Sequence, residues 1–195
     1  DTGACDAGGV DRSARPARAP TMPVAGFWLD DGTFAAGLDV AGVPVGDNRY
    51  MTRTLDDKAV ESMSKIDAIT QKLRDHHLQS LHAVIVYCLA PIFQYWIQHC
   101  YPEHVSAAAG RVDDSLRRAA EACYGSAVIQ DEVAMRRLRL PARMYGGGVR
   151  SLVDVAPAAF VATLCRTVPC FLDSMDAQGC RQRGFLPGLG PILGT

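Results

Sequence analysis

The sequence predicts a mainly α-helical fold, a bundle of about five helices with a small β-hairpin element on its N-terminal side. Apolar residues recur every three or four positions from Met51 to Leu73, with charged residues between them, as on one face of an amphipathic helix. From Phe27 to Gly46, short apolar runs alternate with glycine and aspartate, which indicates a hairpin or two short strands ending in a turn at Pro44–Gly46. The 195 residues, 48% hydrophobic and 21% charged, suit one globular domain.

Changes in composition divide the chain into four regions. Residues 1–25 are rich in Gly, Ala, Pro, Asp and Arg without periodicity and are predicted to be a disordered linker. Residues 26–48 form the short β element and its turn, residues 49–176 the helical domain, and residues 177–195 a flexible tail rich in glycine and proline. The chain begins without methionine, which indicates a fragment or a processed product.

The first two predicted helices differ in their patterns. Asp47 or Asn48 is a suitable N-cap for the first, which has about six turns. The second runs from Leu78 to His99 and is apolar nearly all round, which predicts a position at the centre of the bundle. Pro91 lacks a backbone donor, so we expect a kink near Tyr87–Pro91.

Three further helices follow a break at Pro102. The third ends near Gly125, the fourth spans Gln130 to Leu138, and the fifth spans Pro157 to Val168 with its proline in the first turn. The inner stripe of the third helix consists of Val105, Ala109, Val112, Leu116, Ala119 and Cys123.

Charge and cysteine content limit the classes of partner. The net charge of −1 provides no global attraction for nucleic acid or membranes, so any nucleic-acid contact must come from a local patch. The seven cysteines are odd in number and lie mostly in apolar runs, which favours buried free thiols in an intracellular, reducing compartment. The apolar run from Ala83 to Ile97 is shorter than the roughly 20 residues of a spanning helix, so we expect a buried helix and no membrane.

Two groups of residues raise the possibility of a metal site. Adjacent aspartates at Asp30 and Asp31 can bind a divalent cation, but with Gly32 after them they are also typical of a tight turn, which we favour. The histidines and one nearby cysteine lack the paired short spacings of a zinc site, so we predict no metal and no cofactor. These residues are His76, His77, His82, His99, Cys100 and His104.

The segment LRLPARMYGGGVRS, from Leu138 to Ser151, has the most unusual composition, and we call it the arginine bend. No acidic residue lies between Val133 and Val153, and the glycines lack the lysine and hydroxyl offsets of a phosphate-binding loop. The arginines in and beside the bend either contact a nucleic-acid backbone or form a solvated helix face next to a turn. They are Arg136, Arg137, Arg139, Arg143 and Arg150.

Three segments together resemble the region that follows the polymerase core in retroelement reverse transcriptases of the non-LTR type. Leu138 to Leu164 resembles the pattern L-P-x-R-x-G-G-x-G-[LIV]-R-S and the apolar helix after it, and Gly37 to Ala59 resembles the G-x-P-[IV]-G element. IVYCLAPIFQYWIQHCYP resembles the apolar helix between them. Tyr145 departs from the pattern at its first glycine, and Gly147 stands where an apolar residue is usual.

The resemblance implies a thumb-like region that binds the template–primer backbone of RNA or DNA. Arg136, Arg139, Arg143 and Arg150 would contact phosphates without being held in internal ion pairs, and Gly146 and Gly148 would let the nucleic-acid backbone approach closely. The family's catalytic aspartates lie in a palm domain with a Y-x-D-D hairpin, which has no counterpart here. We therefore expect no polymerase activity from this chain alone, and a palm domain as its partner in a full-length relative.

The alternative is an α-helical protein–protein interaction module with no nucleic-acid role. Near-zero net charge favours it. Its partner surface would be formed by Phe93, Tyr95 and Trp96.

Overall fold

A computed structural model describes residues 25–75 and 77–177, and in this part of the chain the fold is mainly α-helical with a small antiparallel sheet at the N-terminal side. The predicted fold class is confirmed. The predictions of a disordered linker and a flexible tail fall almost entirely on residues 1–24 and 178–195, outside the described residues, as does His76.

The sheet has three strands in the order β1 (Gly26–Trp28), β2 (Phe34–Val40) and β3 (Val43–Gly46). The predicted turn at Pro44–Gly46 is wrong, because these residues belong to β3. The chain reverses instead at Ala41 and Gly42, whose φ angles are 51° and 82°. Two consecutive residues with positive φ form the two-residue loop whose twist matches a hairpin.

Asp30 and Asp31 lie in the turn between β1 and β2, as predicted. The carboxylate of Asp31 accepts hydrogen bonds from the backbone N–H of Thr33 at 2.9 Å and from its hydroxyl at 2.6 Å. Arg49 pairs with the same carboxylate at 3.2 Å. The hydrogen bonds from Thr33 are the main cause that lowers the pKa of Asp31. Asp31 therefore has a structural role, which is to stabilise this turn.

Helix α1 (Asn48–Leu73) confirms the first predicted helix and buries one stripe of it: Leu55, Ala59, Ser62 and Ile66. Asp47 occupies the N-cap position without capping through its side chain. Its carboxylate accepts a hydrogen bond from the backbone N–H of Ala36 at 2.9 Å and so fastens β2 to the start of α1.

The segment Leu78–His99 is continuously helical but irregular in its middle. It comprises α2 (Leu78–Val84), a π-helical turn (Ile85–Leu89), a 3₁₀ turn (Ala90–Phe93) and α3 (Gln94–His99). The hydrogen-bonding pattern thus changes around Pro91, where the missing backbone donor predicts it.

The predicted central position of this segment is wrong, because only one stripe of it is buried and Tyr87 is 74% exposed. The central helix is α4 (Pro102–Tyr124), which packs against α1, α7 and the Leu78–His99 segment. Small residues let neighbours approach α4 closely, and it ends at Gly125 with a φ of 86°, as predicted. Its buried residues are Val105, Ala108, Ala109, Val112, Ser115, Leu116, Ala119 and Ala120.

The remaining helices are α5 (Ser126–Gln130), α6 (Glu132–Arg139) and α7 (Leu152–Ala177). Asp131 caps α6 by accepting from two backbone N–H groups. Helix α7 extends beyond the predicted fifth helix at both ends, so its first proline, Pro157, lies past the first turn. Sequence reasoning missed α5 as a separate helix.

In the part of the chain that the structure describes, two segments have the length and hydropathy of a membrane-spanning helix, Leu78–His99 and Leu152–Cys170, each with mean hydropathy 1.4. The apolar run Ala83–Ile97 lies inside the first segment, whose 22 residues match the predicted second helix. Only 28% of the first window and 11% of the second are buried within the fold. The part of α7 from Leu152 to Cys170 thus leaves most of its surface uncovered by the described residues.

Candidate nucleic-acid interface

The arginine bend leaves α6, passes through a 3₁₀ turn (Ala142–Met144) and folds back to the start of α7. Four consecutive backbone N–H groups in it donate to carbonyl oxygens of the same segment and of the end of α6. Within the bend, Gly146 donates to Pro141 at 3.2 Å and Gly148 donates to Leu140 at 2.8 Å. Toward the end of α6, Gly147 donates to Arg137 at 3.2 Å and Val149 donates to Leu138 at 3.1 Å. A phosphate-binding loop needs free N–H groups, so this bend holds itself together instead.

The three glycines are required by internal packing. A Cβ on Gly146 would lie 2.1 Å from the carbonyl oxygen of Leu140, and one on Gly147 would lie 2.3 Å from a methyl carbon of Leu138. Gly148 has a φ of 77° and faces Val86 of the π-helical turn. The close approach is therefore to the protein's own backbone and side chains, which explains Gly146 and Gly148 without a nucleic-acid strand.

Tyr145 has a left-handed backbone, with a φ of 58°, and its side chain is 95% exposed. This conformation is uncommon for a residue with a side chain, and glycine adopts it without cost. The position where the resembled pattern has its first glycine is thus one that favours glycine. The turn forms with tyrosine, at some cost in backbone strain.

The bend is joined to α7 through a carboxylate of the central helix. Asp113 of α4 accepts hydrogen bonds from the hydroxyl of Ser151 at 2.7 Å and from the backbone N–H groups of Leu152 at 2.8 Å and Val153 at 3.2 Å. Its negative charge also lies at the N-terminus of α7, where the helix dipole stabilises it. Asp113 therefore holds the start of α7, and within residues 25–75 and 77–177 it forms no ion pair with an arginine.

The predicted phosphate contacts fall into two pairs. Arg136 pairs with Glu132 at 2.5 Å and Arg139 pairs with Asp154 at 3.3 Å, so the expectation of free guanidinium groups is wrong for these two. Glu132 stands one helical turn before Arg136, a spacing visible in the sequence, whereas the second pair joins two helices.

Arg143 and Arg150 are exposed and have no acidic partner within 4.0 Å among the residues that the structure describes. The same holds for Arg137, which was part of the basic cluster but not among the predicted contacts. All three guanidinium groups are available to an external anion.

Arg150 lines two hollows on either side of the bend. One, of about 150 Å³, lies toward α4 and includes Asp113, Arg117 and Arg139. The other, of about 280 Å³, lies between the bend and the Leu78–His99 segment. Arg117 of α4 also lines the first hollow, where it pairs with Asp114 at 3.7 Å, and its distance along the sequence from the bend concealed it.

The prediction of buried cysteines is wrong for most of them, because only Cys100 is buried among the five in the described residues. The exposed ones are Cys88, Cys165 and Cys170. In the described parts of the chain, no group of three His, Cys, Asp or Glu residues is arranged to hold a metal ion. His82 Nδ1 makes a short hydrogen bond with the hydroxyl of Tyr124, and His99 Nδ1 is 2.8 Å from the carbonyl oxygen of Tyr95. Burial raises the pKa of the Cys100 thiol to about 11, so it is protonated and unreactive at neutral pH.

The aromatic surface predicted for a protein partner does not form. Phe93 is fully buried. The hydroxyl of Tyr95 donates to the carbonyl oxygen of Ala41 at 2.5 Å, and the indole N–H of Trp96 donates to that of Gly42 at 3.1 Å. These side chains fasten the β2–β3 turn to the helical segment.

Comparison with protein-family models, with curated proteins and with solved structures yields no match. The relation to reverse transcriptases therefore stays a prediction based on the residues quoted above.

Proposed function

We propose that this chain is a thumb-like fragment of a retroelement-type reverse transcriptase that binds the backbone of a template–primer and carries no polymerase active site. Arg143 and Arg150 are the main phosphate contacts, and Arg137 adds a third cation. The observation that carries the proposal is that these arginines have no acidic partner among the described residues, while Asp113, beside the bend, is engaged by α7.

Electrostatics favour phosphate as the ligand of such a surface. A guanidinium group binds a phosphate through charge-assisted, often bidentate hydrogen bonds. Contacts of this kind ignore base sequence and release counterions, so binding weakens steeply as salt increases. The net charge of −1 means that attraction is local to the bend.

Arg136 and Arg139 have a secondary role in this proposal. Their ion pairs are formed by side chains that are at least half exposed to water. Exposed pairs contribute roughly 0–1 kcal/mol, so a phosphate competes with the carboxylate at little cost. The carboxylates of Glu132 and Asp154 nevertheless repel the incoming anion, which makes these arginines weaker contacts than Arg143 and Arg150.

Polymerase chemistry would come from another domain. Phosphoryl transfer with two metal ions needs carboxylates that converge on the cations. Asp31 instead stabilises its own turn and pairs with Arg49. The proposal therefore assigns the catalytic aspartates to a palm domain in a full-length relative.

Binding to a fluorescently labelled RNA–DNA hybrid tests the proposal. We expect fluorescence anisotropy to show binding whose affinity falls as salt rises from about 50 to about 200 mM, with roughly 0.7–0.9 in the log–log slope for each phosphate contact. A hybrid that does not bind at the lower salt concentration, or binds with an affinity independent of salt, would contradict it.

The second candidate, a helical protein-interaction module, is favoured by a different surface from the one predicted. The middle of α7 exposes apolar residues, with Val161 55% and Leu164 40% exposed. A protein partner that covered them would bury apolar surface now facing solvent. Val161→Asp and Leu164→Asp would abolish association with such a partner and leave binding to the hybrid unchanged.

A further inference from the structure

The groove of about 280 Å³ beside Arg150 has a composition unlike the rest of the basic surface. One wall is the irregular middle of the Leu78–His99 segment, and the other is the bend with the first turn of α7. Its apolar lining includes Val86, Pro91 and Leu152, while Tyr87 and Arg150 lie at its edge.

The volume of the groove suits a planar ring system. A dry apolar cavity of about 150 Å³ in a protein binds benzene, so about 280 Å³ accommodates a larger heterocycle. The lining is mainly aliphatic, with Gln94 as an exposed amide that offers both a donor and an acceptor. Such a site takes a flat ring with polar edges.

The edge of the groove supplies an aromatic face and a cation. Tyr87 is 74% exposed and belongs to the π-helical turn (Ile85–Leu89), a local irregularity frequently found at functional sites. Arg150 is exposed and unpaired in the described part of the chain. Proteins that bind single-stranded nucleic acid combine these elements, stacking bases on aromatic rings and holding the backbone with cations.

We propose that this groove binds one unpaired nucleobase of a single strand whose neighbouring phosphate contacts Arg150. The inference rests on the proposed function and names its substrate class, an unpaired template or primer end. In a duplex, a base must leave its stack and its pairing partner before it can enter, which costs a few kcal/mol, whereas an unpaired base avoids most of that cost.

An apolar peptide side chain is a poorer occupant of the same groove. It would cover Arg150 and remove the guanidinium group from water without supplying a negative charge, which is unfavourable. A nucleotide places its ring against the apolar lining and its phosphate against the cation, so both properties of the groove are used.

Two matched pairs of side chains make the proposal testable. Tyr87 lines the groove, and Tyr145 is a more exposed tyrosine outside it; Arg150 lines the groove, and Arg143 does not. The measurement is the affinity of the full chain for a short single-stranded oligonucleotide and for the same backbone with abasic sites. The ratio of the two affinities isolates the contribution of the bases.

We expect the wild-type chain to prefer the base-containing strand by about five-fold or more, the lower end of what one stacked base contributes. Tyr87→Ala should reduce this preference toward unity, while Tyr145→Ala should leave it unchanged. Ala142→Trp, which fills the groove from its rim, should have the effect of Tyr87→Ala by a different route. Arg150→Ala should lower the affinity for the base-containing strand more than Arg143→Ala does, because it removes the phosphate contact next to the bound base.

Equal, salt-dependent affinities of the wild-type chain for the two strands would overturn the groove assignment and leave the proposed function standing. Absence of salt-dependent binding to either strand and to the RNA–DNA hybrid would overturn both. If the preference for the base-containing strand is unchanged in both Tyr87→Ala and Ala142→Trp, the base binds outside this groove and the proposal is wrong.

Discussion

Two arginine-containing surfaces of this fold differ in what their guanidinium groups contact. Along the α1–α4 seam, defined by Asp56, Asp67, Arg111 and Arg118, each arginine pairs with an aspartate of the other helix. At the arginine bend, the guanidinium groups of Arg143 and Arg150 have no such partner in the described structure. Positive charge is therefore neutralised by neighbouring carboxylates at the seam but not at the bend.

The difference arises from how the carboxylates are used. At the seam, the two long helices α1 and α4 pack side by side, and aspartates of α1 lie opposite arginines of α4. At the bend, Asp113 is taken up by the hydroxyl of Ser151 and the first N–H groups of α7. An acid committed to a helix terminus leaves neighbouring arginines free to bind another anion.

The largest effect should come from the glycines that hold the bend in shape. Gly146→Ala places a methyl group against the carbonyl oxygen of Leu140, and we expect the free energy of unfolding to fall by about 2–3 kcal/mol. Gly110→Ala is the control, because a Cβ at this position of α4 would lie 3.8 Å from Val153 at an ordinary helical φ, so we expect no loss of stability. Urea denaturation measures both. Equal losses would show that the bend is not closely packed.

Loss of the carboxylate that fixes α7 should have the next largest effect. Asp113→Ala removes the acceptor of three hydrogen bonds, and we expect a loss of about 1–2 kcal/mol in the free energy of unfolding. Asp114→Ala, which removes only an exposed pair with Arg117 at 3.7 Å, should cost less than about 0.5 kcal/mol. If the two variants unfold at the same urea concentration, Asp113 does not anchor the start of α7.

Substitution of the arginines by alanine should change the free energy of unfolding differently at the two surfaces. Arg111→Ala with Arg118→Ala should cost about 1 kcal/mol or less, because the pairs are more than one-third exposed and water screens them. Arg143→Ala with Arg150→Ala should change the free energy of unfolding by less than about 0.5 kcal/mol, since no internal pair is lost. A marked loss of stability in the bend variant would reveal a structural role and weaken the comparison.

A further small effect concerns pH, which should change the stability of the fold without changing the charge of the bend. Burial raises the pKa of Cys100 from 9.0 to about 11, so the folded state holds a proton that the unfolded chain releases between these values. The free energy of unfolding should therefore fall by about 1 kcal/mol or less as pH rises through this window, and Cys100→Ala should remove that component. Urea midpoints measured below and within the window test this. Arginines stay protonated there, so the charge of the bend is retained.

Sequence patterns predicted the elements that depend on local signals. The apolar stripe of α4, its start at Pro102 and its end at Gly125 follow from periodicity and from residues that begin and end helices. The β2–β3 turn was misplaced because Ala41 adopts a positive φ that its residue type seldom adopts, while Pro44 looks like a turn residue. The start of α7 was missed because its anchor, Asp113, stands 39 residues before Leu152.

The candidate site was predictable in its charge but not in its pairing. The run without acidic residues identified Arg143 and Arg150, and the four-residue spacing from Glu132 accounts for the pair of Arg136. The pair between Arg139 and Asp154 depends on where α7 packs against the end of α6, and the groove beside Arg150 depends on the π-helical turn. These are tertiary features that spacing along the chain does not encode.

The most direct test is the salt dependence of binding to an RNA–DNA hybrid by two double variants. We expect Arg143→Ala with Arg150→Ala to lower the slope of log affinity against log salt by about 1–2, since each phosphate contact contributes roughly one. Arg111→Ala with Arg118→Ala, at the paired seam, should leave the slope at its wild-type value. An unchanged slope in the bend variant, or an equal decrease in both variants, would contradict the claim that the unpaired arginines bind the nucleic-acid backbone.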